Sequence, residues 1–141
     1  MPFLKDVPNI HKFRNLPKHK ININLVNNEI ILFGGYLTQG QILYRGGNFQ
    51  AKDTTIDNDP ISTSIMPSVA RWHAIKVSGE IAMLEIAESN ITRAFAFKTK
   101  GNQRLKDEYE VLLQNSLRLE YVKTSNHNNM QIHEFKVYAI T

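Results

Sequence analysis

The chain contains no cysteine. Disulfide cross-links, thiolate metal sites and a cysteine nucleophile are therefore excluded. A reducing, cytosolic working place fits that absence. No apolar run approaches the roughly 20 residues that a bilayer-spanning helix needs. Met1–Asp6 has neither the basic start nor the apolar stretch of a secretory signal, so export would need another route or excision from a larger polypeptide. Neither a Gly-X-Gly-X-X-Gly fingerprint nor a Walker-type phosphate loop occurs. The histidines, His11, His19, His73, His127 and His133, fall at no metal-ligand spacing, and no metal is expected. There is also no internal repeat and no low-complexity tract.

What is present suits a folded domain. A length of 141 residues, 42% of them hydrophobic, allows one domain with a real core. The formal net charge is +4 and the sequence pI about 9.4. A mildly basic balance is compatible with an acidic protein surface, a nucleic acid, or plain solubility.

Along the chain, Pro2, Pro8 and Pro17 each remove a backbone donor and restrict the preceding residue. Residues 1–40 are accordingly expected to be irregular or short-helical. Ile21, Ile23 and Leu25 alternate with asparagines, which reads as strand, and Ile30–Phe33 is an apolar run open to either type. Residues 41–141 read as a mainly β core. Short strands are expected over Gln41–Arg45, Ile61–Ile65, Glu80–Ala87 and Thr92–Phe97, with a turn at Asp57–Pro60. Pro67 suits the first turn of a helix whose inner face would carry Val69 and Trp72, with small Ala70 and Ala74 beside them. Leu117, Leu119 and Tyr121, and later Phe135, Val137 and Ala139, recur with the period of two that marks half-buried strands. The expected fold class is α+β: two packed, mostly antiparallel sheets with one or a few flanking helices.

Three segments carry chemistry. Leu43-Tyr44-Arg45-Gly46-Gly47 ends a strand in a guanidinium followed by two glycines, where a phosphate or carboxylate can be gripped and a ligand can approach the backbone. Ile61-Ser62-Thr63-Ser64 places two hydroxyls on one strand face. Asp107-Glu108-Tyr109-Glu110-Val111-Leu112-Leu113 does the same with two carboxylates, whose mutual repulsion and burial are costly. Taken singly, each reads as an ordinary surface arginine, wet strand or edge strand. Their order and spacing, 17 residues from Arg45 to Ser62 and 48 from Ser62 to Glu110, change that.

Together the segments resemble the arginine–serine–glutamate class of ADP-ribosyltransferases. That class includes vertebrate ecto-transferases, clostridial actin-modifying toxins, phage transferases and bacterial effectors. Its pattern is an aromatic-Arg-Gly strand, then Ser-Thr-Ser, then Glu-X-Glu running into an apolar strand. Here the pattern is Tyr44-Arg45-Gly46, Ser62-Thr63-Ser64 and Glu108-Tyr109-Glu110 followed by Val111-Leu112-Leu113. The helix carrying Ala70 and Trp72 adds to the likeness, which spans about residues 41–122.

The resemblance implies a cleft between the sheets that binds NAD⁺ as substrate. Arg45 would hold a phosphate, and the backbone of Gly46 would pair with the nicotinamide carboxamide. Ser62 would orient Glu110, with Thr63 and Ser64 joining the NAD⁺-contacting set. Glu110 would bind the nicotinamide ribose, while Glu108 would orient or deprotonate the acceptor. A glutamate at that place accompanies arginine acceptors in the class. Phe49 is the better candidate for stacking on nicotinamide, since Tyr44 should face away from Arg45 and Trp72 should be core. Arg71 and Lys76 are open to either a phosphate contact or plain surface.

The polar, basic segment from Lys98 to Asp107 would be a loop that meets the target protein. A bacterial toxin, effector or phage role would place the activity in the cytosol of a target cell, with an immunity protein as a further partner and no membrane association. RNA or DNA as acceptor, NAD⁺ glycohydrolysis and a non-catalytic binding module of the same fold are the alternatives.

Overall fold

The computed structural model describes residues 7–47, 55–77, 79–96 and 110–140. Two helices come first, α1 (Pro8–Asn15) and α2 (Ile23–Phe33), separated by a single 3₁₀ turn at Lys18–Lys20. Helix α2 thus corrects the strand reading of Ile23 and Leu25, and Ile21 precedes it outside any strand. Asn22 caps α2, its side-chain oxygen accepting from the amides of Asn24 and Leu25. Once the helix is nucleated there, Val26 and Ile30 fall four apart on one buried face. That tertiary burial outweighs the local alternation of isoleucine and asparagine.

Among the described residues, nine strands follow in one hydrogen-bonded order, β1-β6-β7-β4-β2-β5-β9-β8-β3. They are β1 (Gly35–Tyr36), β2 (Ile42–Gly47), β3 (Thr55–Asp57), β4 (Ile61–Ser64), β5 (Glu80–Ile86), β6 (Arg93–Ala96), β7 (Glu110–Leu113), β8 (Leu117–His127) and β9 (Met130–Ala139). Helix α3 (Pro67–Lys76) links β4 to β5, with Pro67 in its first turn as expected. All neighbours pair antiparallel except β5 with β9, which are parallel.

The α+β expectation holds, and the two expected sheets are two halves of this order. Strands β2 and β4 meet at a single bridge, Tyr44 with Ser64. On one side lie β4, β7, β6 and β1; on the other, β2, β5, β9, β8 and β3. Side chains from both halves form one core: Ile61, Ala94, Val111 and Leu113 pack with Leu43, Leu84, Ile86, Leu117, Phe135 and Val137. Alternation sends the next residues outward. Phe95 and Leu112 meet Val7, Ile10, Val26 and Ile30 of the N-terminal helical layer. On the other half, Ile81 joins Met130 beneath Ala70 and Ala74 of α3. All four β7 residues are buried because both faces of that strand are covered.

Helix α3 corrects one detail. Its inner face is Ala70 and Ala74, while Trp72 stays 43% exposed with the Lys76 ammonium 4.4 Å from its ring centre. The alanines are there because α3 lies almost on the backbone of β2. A Cβ at Gly46 would overlap the carbonyl of Ala70 and press on the amide of Ala74. Close approach of a ligand was the expectation at Gly46; a helix also approaches it closely, and Gly46 lines the cavity as well.

The far half holds a buried polar chain. His133 is fully buried, bonded through Nε2 to a Glu80 carboxylate oxygen and through Nδ1 to Thr124 Oγ1 at 2.7 Å. Thr124 Oγ1 in turn lies 2.6 Å from the Tyr121 hydroxyl. Residues three apart on a regular strand face opposite ways; a bulge between Tyr121 and Lys123 restores them to one face.

Candidate active site

The site forms where the two halves of the sheet meet. In the β4–β7 register Ser64 lies opposite Glu110 and Ser62 opposite Leu112. With a period of two, Ser62, Ser64 and Glu110 therefore share the face that carries Leu112. The N-terminal helices cover that face at Leu112 and leave Ser62 exposed. The lone bridge from Ser64 to Tyr44 brings the Tyr44-Arg45-Gly46 segment alongside.

A cavity of about 210 Å³ opens at this junction. Tyr44, Arg45 and Gly46 of β2 line it, with Ser62, Thr63 and Ser64 of β4, Val69, Ala70 and His73 of α3, and Glu110 at the start of β7. Residues from all three sequence motifs thus converge on one cavity. Of the residues singled out from the sequence, Arg45, Gly46, Ser62, Thr63, Ser64 and Glu110 are brought together there. Glu108, Phe49 and the segment from Lys98 to Asp107 lie outside the described residues.

Glu110 is the electrostatic centre of the wall. It is only 9% exposed, so its charge must be compensated by hydrogen bonds and counter-charge. Ser62 Oγ donates to Oε2 at 3.1 Å. Arg14 Nε of α1 donates to Oε1 at 3.1 Å, forming an ion pair whose arginine side chain is 3% exposed. Each carboxylate oxygen is thereby held by a different element.

The two residues after Ser62 have structural tasks as well. Thr63 Oγ1 donates to the carbonyl of Val111 at 2.6 Å, locking β4 to β7 beside Glu110. Ser64 Oγ accepts from the amide of Met66 at 3.0 Å and so shapes the turn into α3.

Sequence reasoning missed three wall or support residues. Arg14 lies 96 positions from the carboxylate it meets, in a segment outside the resemblance, and no local pattern marks it. His73 was considered only as a metal ligand; it lines the cavity from α3, with its ring edge-on to Trp72 at 4.9 Å. Tyr44, passed over in favour of Phe49 because it should face away from Arg45, also lines the cavity. Among the described residues, no group of three or more His, Cys, Asp or Glu is placed to hold a metal ion. Nor is any described helix long and apolar enough to cross a membrane.

No protein-family model matches the sequence, and no curated protein is significantly similar to it. Solved structures do match. C3stau2 from Staphylococcus aureus, solved with NAD, superposes with a TM-score of 0.64 at 12% identity, over 99% of this chain and 89% of that one. The Vis toxin of Vibrio splendidus, an ADP-ribosyltransferase, gives 0.56 at 12% identity over 96% of this chain and 68% of that one. The ADP-ribosylating toxin BECa of Clostridium perfringens, solved with NADH, gives 0.60 at 13% identity over 96% of this chain and 43% of that one. This chain has the ADP-ribosyltransferase fold.

Proposed function

We propose that the chain is a mono-ADP-ribosyltransferase that cleaves NAD⁺ and transfers ADP-ribose to an arginine of a target protein. The observation that carries this reading is the hydrogen bond from Ser62 to Glu110 at the wall of the cavity that Arg45 also lines. Residues of three motifs dispersed in sequence line that one cavity, which supports the reading. Similarity to proteins described as ADP-ribosylating toxins supports it.

In the reaction, the bond between ribose C1′ and the nicotinamide nitrogen breaks, and its electron pair leaves with nicotinamide. Positive charge develops on the ribose. A fixed carboxylate beside it lowers the transition state more than the ground state. Glu110 supplies that charge, and its Ser62 hydrogen bond removes the need to reorient during the reaction. The acceptor nitrogen then bonds to C1′ and loses a proton. A cavity of about 210 Å³ suits the nicotinamide–ribose half of the substrate rather than the whole dinucleotide. Tyr44, Val69 and Ala70 give it an apolar wall for the flat ring, and Arg45 offers a cation for a phosphate.

Glu108 takes the second role. A guanidinium is protonated and a poor nucleophile, and a carboxylate two residues before Glu110 can hold it and assist proton loss. Glu108→Gln should abolish most transfer to protein while NAD⁺ hydrolysis continues. Equal loss of both activities would remove arginine as the acceptor.

The biological setting completes the reading: a toxin or effector domain acting in the cytosol of a target cell, delivered within a larger polypeptide or encoded by a phage. The segment from Lys98 to Asp107 would contact the target. The deciding experiment uses labelled NAD⁺ with wild type and Glu110→Gln in bacterial and eukaryotic lysates. Label on a discrete protein band, wild type only and sensitive to neutral hydroxylamine, is expected. Nuclease-sensitive label would move the acceptor to nucleic acid. Free ADP-ribose alone would make the chain a glycohydrolase, and no turnover would leave a binding module.

A further inference from the structure

We infer that Arg14 is a positioning residue for Glu110, and that α1 is therefore a working part of the active site rather than a covering helix. This deepens the proposed function and rests on it. Residues 1–40 lie outside the sequence resemblance, so nothing in the motifs assigns them a task.

The geometry builds the inference in three steps. First, α1 is anchored at its start by a buried carboxylate. Glu29 of α2, 8% exposed, accepts from the Asn9 amide at 3.1 Å, the Asn9 side-chain nitrogen at 2.7 Å and the Ile10 amide at 2.8 Å. An acceptor at a helix N-terminus meets amides with no partner within the helix, and its charge suits the helix dipole. Val7 and Ile10 pack with Val26 and Ile30 and fix the helix laterally. Second, Arg14 leaves the last turn of this anchored helix and ends at Glu110. Third, Glu110 lines the cavity and Arg14 is not part of its wall. Arg14 therefore acts on the carboxylate from behind.

Two contacts on two oxygens define the carboxylate plane, one from β4 and one from α1. The Arg14 contact adds a second fixed point to the one that Ser62 supplies. The guanidinium also offsets the cost of keeping a charge at 9% exposure. Arg14 thus holds the aim of Glu110. A displacement of about 1 Å at a reacting group costs about 10²-fold in rate, and that is the scale expected here.

The test uses the full chain with Arg14→Gln and Arg14→Lys, alone and combined with Glu110→Gln, following nicotinamide release and thermal unfolding. Arg14→Gln should lower kcat about 10²-fold with KM for NAD⁺ within about twofold, and Arg14→Lys should recover part of the loss. In the Glu110→Gln background, Arg14→Gln should change the residual rate less than about twofold, and the two losses in Tm should not add. Unchanged kcat with a raised KM would make Arg14 a substrate anchor and overturn the inference. Additive losses in rate and Tm would reduce it to a general fold effect. Glu110→Gln turning over as fast as wild type would instead remove the proposed function. The Tm cycle reads the Arg14–Glu110 coupling even then, and absence of coupling would remove the contact itself.

Discussion

Helix α1 has a buried glutamate at each end, and the two have opposite fates. Glu29, at its start, accepts three hydrogen bonds, all from the first turn of α1, and lines no part of the cavity. Glu110, at its end, is held by Arg14 and Ser62 and forms part of the cavity wall. Their exposures are nearly equal, 8% and 9%. Burial therefore does not separate a structural carboxylate from a chemical one. What separates them is place: Glu110 forms part of the cavity wall, and Glu29 does not.

If that contrast is right, equal-looking substitutions should part company. Glu110→Gln keeps the shape and the Ser62 contact but removes the charge. Its rate of NAD⁺ cleavage should fall at least about 10²-fold, which is about 2.7 kcal/mol of transition-state stabilisation. Nicotinamide release well below the unfolding midpoint measures this, with circular dichroism to show that the variant is folded. A variant retaining most of the wild-type rate would place Glu110 with Glu29 among the structural carboxylates.

Glu29→Ala should act on the other side of the comparison. It strips the first turn of α1 of its acceptor and leaves buried amides without one, at a cost of about 2 kcal/mol. The unfolding midpoint should drop by roughly 6 °C. Activity should fall too, because α1 carries Arg14, but NAD⁺ turnover should survive at low temperature. A stability unchanged by Glu29→Ala would mean that α1 is held by Val7 and Ile10 packing alone.

The two regions were also unequally legible in the sequence. Strands with a strict period of two, such as Leu117–Tyr121 and Phe135–Ala139, were readable because alternation is a local consequence of a half-buried sheet. Ser62 and Glu110 were readable as a pair because their spacing matched a known pattern, and they do meet. Helix α2 was not, since its asparagines mimic alternation and only the tertiary burial of Val26 and Ile30 decides for helix. Arg14 and the chain from Glu80 through His133 to Tyr121 were invisible for a different reason. Each joins positions distant in sequence through a contact that no local period encodes, and the last also needs a bulge.

The smallest effect expected tests the outside of the same helical layer. Leu32, near the end of α2, is 74% exposed, and Val26 and Ile30 supply the helix's buried apolar contacts. Leu32→Lys exchanges one good helix former for another and adds a cation in the last turn, where the helix dipole favours it. Stability should change by less than about 0.5 kcal/mol. Turnover should not change, because Glu29, Val26 and Ile30 hold α1, and Leu32 is not among its packing partners. Thermal unfolding and size-exclusion elution measure this together. A fall in Tm with a shift to later elution would show that a second copy covers this face in solution. The helical layer would then be buried on both sides, and the position of α1, with the aim of Arg14 at Glu110, would depend on protein concentration.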